Sequence, residues 1–190
     1  MIDTVKPSMR ERLIESATEL FYAKGLRAVS VGSVIERAGT TKVTFYRHFK
    51  SKDDLVVAHL ELRAKQERDG ITAAIAASAD PDGVFQAIAG ALGTMACEQG
   101  FRGCPFINAA AEYPDPASAV RQTVDQHRAW CLATFEEVVT PLGLPDPPAV
   151  AHDLMLIRDG AMVAGYLDDA DILAASFLRS ARALTRSNAA

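Results

Sequence analysis

Two short helical segments joined by a glycine turn most strongly constrain the fold of this chain. The first begins at Ser30, a favourable N-cap residue, and ends at Gly39, whose backbone freedom suits a tight turn. The second runs from Lys42 to roughly His48, which is about two turns of helix. Such a pair is typical of a helix-turn-helix, whose second helix enters the major groove of DNA.

The second of these helices is polar on its outer side. Val43 adds an apolar contact of the kind that suits a thymine methyl group. Phe45 and Phe49 are expected to turn inward and hold the helix against its neighbours. The residues with hydrogen-bonding groups here are Thr40, Thr41, Lys42, Thr44, Tyr46 and His48. The pattern therefore predicts a surface that reads DNA.

Apolar residues at helical spacing, without any strand pattern, run through the rest of the chain. Ser8 and Glu11 form a capping box that starts a first helix, which ends at Gly25. After the helix-turn-helix, further helices are predicted over about 52–79, 84–97, 106–112, 116–140 and 149–166, with a last one capped by Asp168 or Asp169 and reaching about Arg186. The expected fold is all-α, with about nine helices.

Charge is distributed unevenly along the chain, although the net charge is −4. Residues 1–56 hold ten Lys/Arg and seven Asp/Glu, whereas residues 57–190 hold ten and seventeen. Because phosphates attract cations, only the N-terminal part is expected to meet nucleic acid. We predict a DNA-binding domain over 1–56 and a larger helical domain over 57–190.

Several classes of protein are disfavoured by what the sequence lacks. No apolar run reaches the ~20 residues of a membrane span, and no signal peptide is recognisable, so a cytoplasmic protein without a membrane partner is expected. Cys97, Cys104 and Cys131 are widely spaced, which fits neither a disulfide framework nor a paired-cysteine zinc site. No nucleophile motif, phosphate loop or Glu-x-x-His pair is present, so we expect no enzyme, cofactor or metal.

The segment 38–52 resembles the DNA-binding domain of the tetracycline-repressor (TetR) family. It reads AGTTKVTFYRHFKSK, against a family pattern of Ala-Gly, two variable residues, Lys, a small residue, Thr, an apolar residue, Tyr, any residue, His-Phe and then Ser-Lys. The resemblance covers about residues 8–56. Val43 departs from the small residue of the family pattern, so no operator sequence carries over from a relative.

The resemblance implies two groups of DNA contacts. Those expected to grip phosphates are Ser30, Thr44, Tyr46, His48 and Lys52. Those expected to read base edges are Thr40, Thr41, Lys42 and Val43. Together they imply a regulator, most simply a repressor, that binds a pseudo-palindromic operator in double-stranded DNA.

The resemblance also implies that the remaining helices form a ligand-binding and dimerisation domain. The helix over about 149–166 is apolar almost all round, so it should be buried on two sides. Gly160, Ala161, Ala164 and Gly165 would let another helix approach closely. We therefore expect this helix and the last one to form a homodimer interface of four helices.

An effector pocket is expected among the middle helices. The alanine-rich core with few aromatic residues favours a small apolar or aromatic effector. Arg158, within an apolar helix, requires a carboxylate partner from the protein or from a ligand. The candidate pocket residues are Phe101, Phe106, Asn108, His127, Trp130, Met155, Arg158 and Met162.

Two other functions stay open at this point. One is a DNA-binding regulator that responds to a protein or to oxidation, for which Cys104 beside Arg102 is the candidate thiol. The other, more remote, is a helical-bundle enzyme, although its four histidines are scattered and no catalytic constellation is recognisable.

Overall fold

Every regular element in the computed structural model is helical over the residues that the structure describes, which are 7–97, 100–167 and 172–186. The elements are α1 (Met9–Lys24), α2 (Val31–Arg37), α3 (Lys42–His48), α4 (Lys52–Ala77), α5 (Pro81–Ala96), α6 (Pro105–Glu112), α7 (Ala119–Val139), α8 (Pro147–Leu167) and α9 (Leu173–Arg186), with a 3-10 turn at Thr140–Leu142. The prediction of an all-α fold with about nine helices is confirmed. None of the described helices has both the length and the apolar character needed to cross a membrane.

The first three helices begin where their capping residues predict. The Ser8 hydroxyl accepts the Glu11 N–H, while the Glu11 carboxylate accepts the Ser8 N–H, which completes the predicted capping box. Ser30 caps α2 and Thr41 caps α3, each through its hydroxyl oxygen. Gly39 has φ +60° and supplies the left-handed turn between them.

Two predicted helix starts are wrong because other caps compete. The fifth helix starts at Pro81, not near residue 84, since Asp80 accepts a backbone N–H and proline suits the first helical position. The seventh starts at Ala119, not at 116. There the Asp115 carboxylate holds a turn by accepting the Ala117 N–H, and Ser118 accepts the first-turn N–H of α7.

The last two helices differ less from their predicted bounds. α8 starts at Pro147, two residues before the predicted start, because the carboxylate of Asp146 accepts the Ala149 N–H at 3.1 Å. The predicted caps of the last helix, Asp168 and Asp169, lie outside the described residues. Its predicted end at Arg186 agrees with the structure.

The chain divides into two compact units whose boundaries fall at α4, α6 and α7. One unit contains Met1–Arg63 and Pro105–Val124, and the other contains Ala64–Cys104 and Asp125–Ala190. Packing therefore groups α6 with α1–α3, which the sequence does not reveal. The functional boundary near residue 56 stays a prediction.

The core of the first unit fixes the position of α3. Phe45 is fully buried and Phe49 is 3% exposed, as the sequence predicts. Their rings lie 5.8 Å apart, and Leu13 and Leu55 are fully buried in the same unit. Each of these side chains contributes roughly 1.5–3 kcal/mol through burial. A seven-residue helix, unstable by itself, is held in place by these contacts.

In the second unit, α9 packs on both α5 and α8. A Cβ on Gly165 would lie 2.6 Å from the Leu173 side chain, so glycine allows the close approach of α8 and α9. Asp82 and Arg182 join α5 to α9 through two hydrogen bonds, of 2.6 and 2.7 Å. The apolar face of α9 is buried, with Phe177 at 1% exposure.

His59 is a buried polar residue on the inner face of α4, 2% exposed. The Thr18 hydroxyl donates its one hydrogen to the Ile14 carbonyl, so its oxygen accepts from His59 Nδ1–H at 2.8 Å. The imidazole ring packs edge-on against Phe21. Burial, and then the positive charge of Arg63, lower the pKa of His59 from 6.5 to about 4. The histidine is therefore neutral at neutral pH.

We expect the free energy of unfolding to fall as the pH decreases from about 7 to about 4. In this window the unfolded chain takes up a proton that folded His59 refuses, which removes at most roughly 3 kcal/mol. Urea unfolding as a function of pH measures the loss. His59→Gln should remove this component, whereas the exposed His152→Gln should retain it. An unchanged pH dependence in His59→Gln would contradict the assignment.

Candidate nucleic-acid interface and ligand pocket

α3 presents its polar side chains outward. Tyr46 is 47% exposed and Val43 is 73% exposed, while Phe45 and Phe49 hold the opposite face. The hydroxyl of Thr41 accepts the Thr44 N–H at 3.2 Å. Of the predicted DNA contacts, the exposed ones are Ser30, Thr41, Lys42, Val43, Tyr46 and His48, and the half-buried ones are Thr40, Thr44 and Lys52. These nine residues lie on α2 to α4 of one unit.

A reciprocal cap fixes the link between α3 and α4. The Asp54 carboxylate accepts the N–H groups of Lys50 and Ser51, at 3.0 and 3.1 Å, and the Ser51 hydroxyl accepts the Asp54 N–H. The ammonium of Lys52 donates to the Arg27 carbonyl at 2.9 Å, and partial burial lowers the pKa of this lysine. Lys52 thus helps to position the link between α1 and α2.

Glu112, at the end of α6, binds the backbone of the link between α1 and α2. Its carboxylate accepts the N–H groups of Leu26 at 2.9 Å and of Arg27 at 2.6 Å. The Arg27 side chain donates in return to the Glu112 carbonyl at 2.7 Å. Next to it, the Tyr113 hydroxyl donates to Asp53 at 2.9 Å, and burial together with this contact raises the pKa of Tyr113. Sequence reasoning missed this cluster.

The second unit contains a partly open cavity of about 70 Å³. That is several times the space one water molecule requires, so part of a small ligand fits inside it. Most of its wall is apolar, and Glu67 and Arg158 lie at its polar end. The complete lining is Glu67, Ile71, Ile88, Ala91, Leu92, Met95, Trp130, Cys131, Thr134, Phe135 and Arg158.

Arg158 obtains the carboxylate partner that the sequence requires from the protein itself. Its guanidinium is 6% exposed and donates to Glu67 Oε1 at 2.8 Å and to Asp159 at 3.2 Å. Asp159 also pairs with Arg128 at 2.7 Å. Burial would raise the pKa of Glu67, but the contact with His127 and the charge of Arg158 outweigh it and lower that pKa. The pair is therefore ionised, with no net charge.

His127 lies beside this pair and is 1% exposed. Its Nε2 is 3.3 Å from Glu67 Oε2 and 3.4 Å from Cys131 Sγ. The ring of Trp130 lies 5.7 Å from that of His127, and the guanidinium of Arg68 lies 5.4 Å from the centre of the Trp130 ring. Burial raises the pKa of the Cys131 thiol to about 12, so this cysteine is protonated at neutral pH.

The structure brings together only some of the predicted pocket residues. Trp130 and Arg158 line the cavity, and His127 contacts its polar end. Met155 and Met162 are buried core residues of α8 outside the lining, and Phe101 packs near Gly165 instead. Phe106 and Asn108 belong to the other unit. The sequence analysis missed Glu67, because a glutamate on a helix is usually solvated. The only signal for it is that a buried Arg158 requires a carboxylate partner.

Cys104, the candidate thiol for an oxidation response, is 3% exposed. Its sulfur accepts a long contact from the Arg158 guanidinium at 3.8 Å. Oxidants react preferentially with exposed thiolates, so this burial does not favour an oxidation switch.

Known proteins of the TetR family are similar to this chain in both sequence and structure. The sequence profile of the bacterial regulatory proteins of the tetR family matches residues 13–59, from α1 into α4. The structure is similar to that of SCO4454, a TetR-family transcriptional regulator from Streptomyces coelicolor, with 39% identity and a TM-score of 0.90. That similarity covers 96% of each chain.

Curated relatives are similar to parts of the chain. The HTH-type transcriptional regulator YjdC of Escherichia coli is 33% identical over 89 residues, which are 43% of this chain and 47% of YjdC. The HTH-type transcriptional repressor KstR2 of Mycolicibacterium smegmatis is 37% identical over 49 residues, 26% of this chain and 24% of KstR2. The matches thus span about half or less of these relatives.

We expect Glu112→Gln to destabilise the protein by about 1–3 kcal/mol, because an amide has one acceptor oxygen and its NH₂ group would face a backbone N–H. Urea unfolding monitored by circular dichroism measures the change. Glu137→Gln, at an exposed position of α7, is the matched control and should change little. Equal stability of the two variants would contradict the role of Glu112.

We expect Arg158→Met to cost about 2–4 kcal/mol of unfolding free energy, since it leaves the Glu67 carboxylate without its cation. The double variant Arg158→Met/Glu67→Gln should recover part of this loss, because the unpaired charge is also removed. Urea unfolding of the two single variants and the double variant completes the thermodynamic cycle. Simple additivity of the two losses would show that the pair is not coupled.

Proposed function

The chain belongs to the TetR family of bacterial regulatory proteins, and on that premise we propose that it is a cytoplasmic repressor that binds operator DNA as a homodimer and leaves it when a small effector binds. The observation that carries the proposal is the outward polar face of α3, held from behind by two buried phenylalanines. The 1–56 region reads the DNA, and 57–190 binds the effector and the second copy.

Residues at and around α3 divide into positioning and reading contacts. Hydroxyl, imidazole and ammonium groups donate to phosphate oxygens and set the register of the protein on DNA. At 73% exposure, the apolar side chain of Val43 has no burial role in the described chain, which supports a contact with a thymine methyl group. The proposed phosphate contacts are Ser30, Thr44, Tyr46, His48 and Lys52, and the proposed base contacts are Thr40, Thr41, Lys42 and Val43.

Exposed apolar side chains on α8 and directly before α9 support dimerisation. Leu156 is 70% exposed, Val163 45% and Ile172 61%, which is costly for a surface in contact with water. A groove between the two helices is floored by small residues such as Gly160 and Ala164. A homodimer formed through this face would carry two recognition helices, as an operator with half-sites about 34–36 Å apart, one turn of DNA, requires.

The cavity of the second unit is the proposed effector site. Because Glu67 and Arg158 already neutralise each other, a charged ligand would have to break their ion pair. A small, uncharged, mainly apolar or aromatic effector avoids that cost and fits the apolar wall. Glu67 and Ile71 lie on α4, which also starts directly after the recognition helix. We propose α4 as the element through which effector binding changes DNA affinity.

The DNA contacts are tested by Tyr46→Phe/His48→Ala. Losing two contacts to charged phosphates should weaken binding at least ~10-fold and reduce the slope of log affinity against log salt concentration. The measurement is fluorescence anisotropy on genomic fragments selected by the wild-type protein, over a salt series. His152→Ala, exposed on α8, is the control. Wild-type affinity in the double variant would remove both residues from the interface.

The effector site is tested by filling the cavity. Small neutral aromatics such as benzene and phenol, compared with benzoate, should raise the melting temperature, with Trp130 fluorescence as the readout. Ala91→Phe should abolish the shift, because Ala91 lines the cavity, whereas Ala87→Phe, one turn earlier on the same helix and outside the lining, should not. Stabilisation by benzoate alone would contradict an uncharged effector. An equal shift in Ala91→Phe would place binding elsewhere.

A further inference from the structure

Three potential metal ligands converge at the polar end of the cavity. The imidazole of His127, the thiol of Cys131 and the carboxylate of Glu67 each offer one atom, and these atoms all lie within 4.8 Å of one another. His127 and Cys131 are one turn apart on α7, so they share a helix face, and Glu67 reaches them from α4. Two of the three are almost fully buried.

We infer that Glu67, His127 and Cys131 form a zinc site. Imidazole, thiolate and carboxylate are the three side-chain ligands that Zn²⁺ takes in proteins, whereas Mg²⁺ and Ca²⁺ prefer oxygen alone. Three protein ligands with a fourth position open are typical of zinc sites that bind a further small ligand. Sequence spacing does not reveal the set, because Glu67 is far from the other two in the chain.

Two of the three separations between ligand atoms already suit tetrahedral coordination. Bonds of about 2.1 Å to nitrogen and oxygen and about 2.3 Å to sulfur, at tetrahedral angles, separate neighbouring ligand atoms by roughly 3.4–3.6 Å. The observed separations from His127 Nε2 are 3.3 Å to Glu67 Oε2 and 3.4 Å to Cys131 Sγ. The ligand atoms of Glu67 and Cys131 lie within 4.8 Å of each other, so closing the site requires these two to approach by at most about 1.2 Å.

One hydrogen bond can serve only one of the two close contacts of His127 Nε2. His127 Nε2 has one position in the ring plane, so it either donates to Glu67 or accepts from the Cys131 thiol. A cation at the point that the three atoms share would contact all of them at once. Metal binding would release the thiol proton of Cys131, because the thiolate is the ligand.

Arg158 orients the carboxylate and also sets the charge of the site. Its guanidinium binds Glu67 Oε1 at 2.8 Å and leaves Oε2 directed towards His127, as an outer partner of a metal ligand does. The carboxylate and guanidinium charges cancel, so Zn²⁺ with one thiolate leaves one positive charge. Hydroxide or another small anion at the fourth position would balance it. Glu67 and Cys131 both line the cavity, which provides room and an entry path.

The test is a cobalt titration of the purified full-length chain, carried out after chelation and removal of the chelator. Cys97→Ser serves as the background, because Cys97 is exposed and outside the site. We expect one Co²⁺ per chain, with a thiolate-to-cobalt charge-transfer band and the intense visible bands of tetrahedral cobalt, all displaced by Zn²⁺. No charge-transfer band, or one that Zn²⁺ leaves unchanged, would overturn the zinc site.

Variants of the ligands locate the metal. Cys131→Ser should lose the charge-transfer band while retaining helical circular dichroism, and the band should persist in His152→Asn, the control for a surface histidine. Glu67→Gln, at a partly exposed side chain, should weaken Zn²⁺ affinity at least ~10-fold. If Cys131→Ser fails to fold, this variant tests the zinc site in its place. A retained band in folded Cys131→Ser, or wild-type affinity in Glu67→Gln, would overturn the assignment. None of these readouts depends on DNA or effector binding.

Discussion

The interior of the second unit depends on one buried ion pair, between Glu67 and Arg158. Taking a guanidinium out of water costs on the order of several kcal/mol unless a partner offsets the loss, and Glu67 supplies that partner from another helix. The same carboxylate then uses its second oxygen to face His127. Glu67 thus contacts both Arg158 and His127 at one end of the cavity, and the remaining wall is mainly apolar.

In the first unit, a short helix is held in place from its inward-facing side and from its ends. α3 has only seven residues and is unstable in isolation, so Phe45 and Phe49 anchor it from within and Thr41 caps its start. Ser51 and Asp54 then fix the turn into α4. Because inward groups and caps carry the stability, the side chain of Val43 stays exposed without a packing role in the described chain.

The sequence predicted correctly those features that depend on interactions between residues close together in the chain. The caps at Ser8 and Ser30, together with the inward Phe45, follow from residues a few positions apart, so they could be read directly. The sequence did not predict contacts between carboxylates and partners that are far apart in the chain. Glu67 looks like any solvated helical glutamate, and only the fold carries it to Arg158, 91 residues away. The starts of α5 and α7 failed for a smaller reason, since neighbouring aspartates and serines compete for the same capping role.

Glu112 recognises the link between α1 and α2 through main-chain N–H groups, and this has an evolutionary consequence. The carboxylate would still find both donors after a substitution at position 26 or 27, although the burial of Leu26 and the contact of Arg27 with the Glu112 carbonyl restrict which side chains fit. Only proline, which lacks an N–H, would remove a donor outright. The sequence of this link can therefore drift within those limits while α6 keeps the same attachment to it. A main-chain contact of this kind separates the freedom of a segment to change in sequence from its need to remain folded.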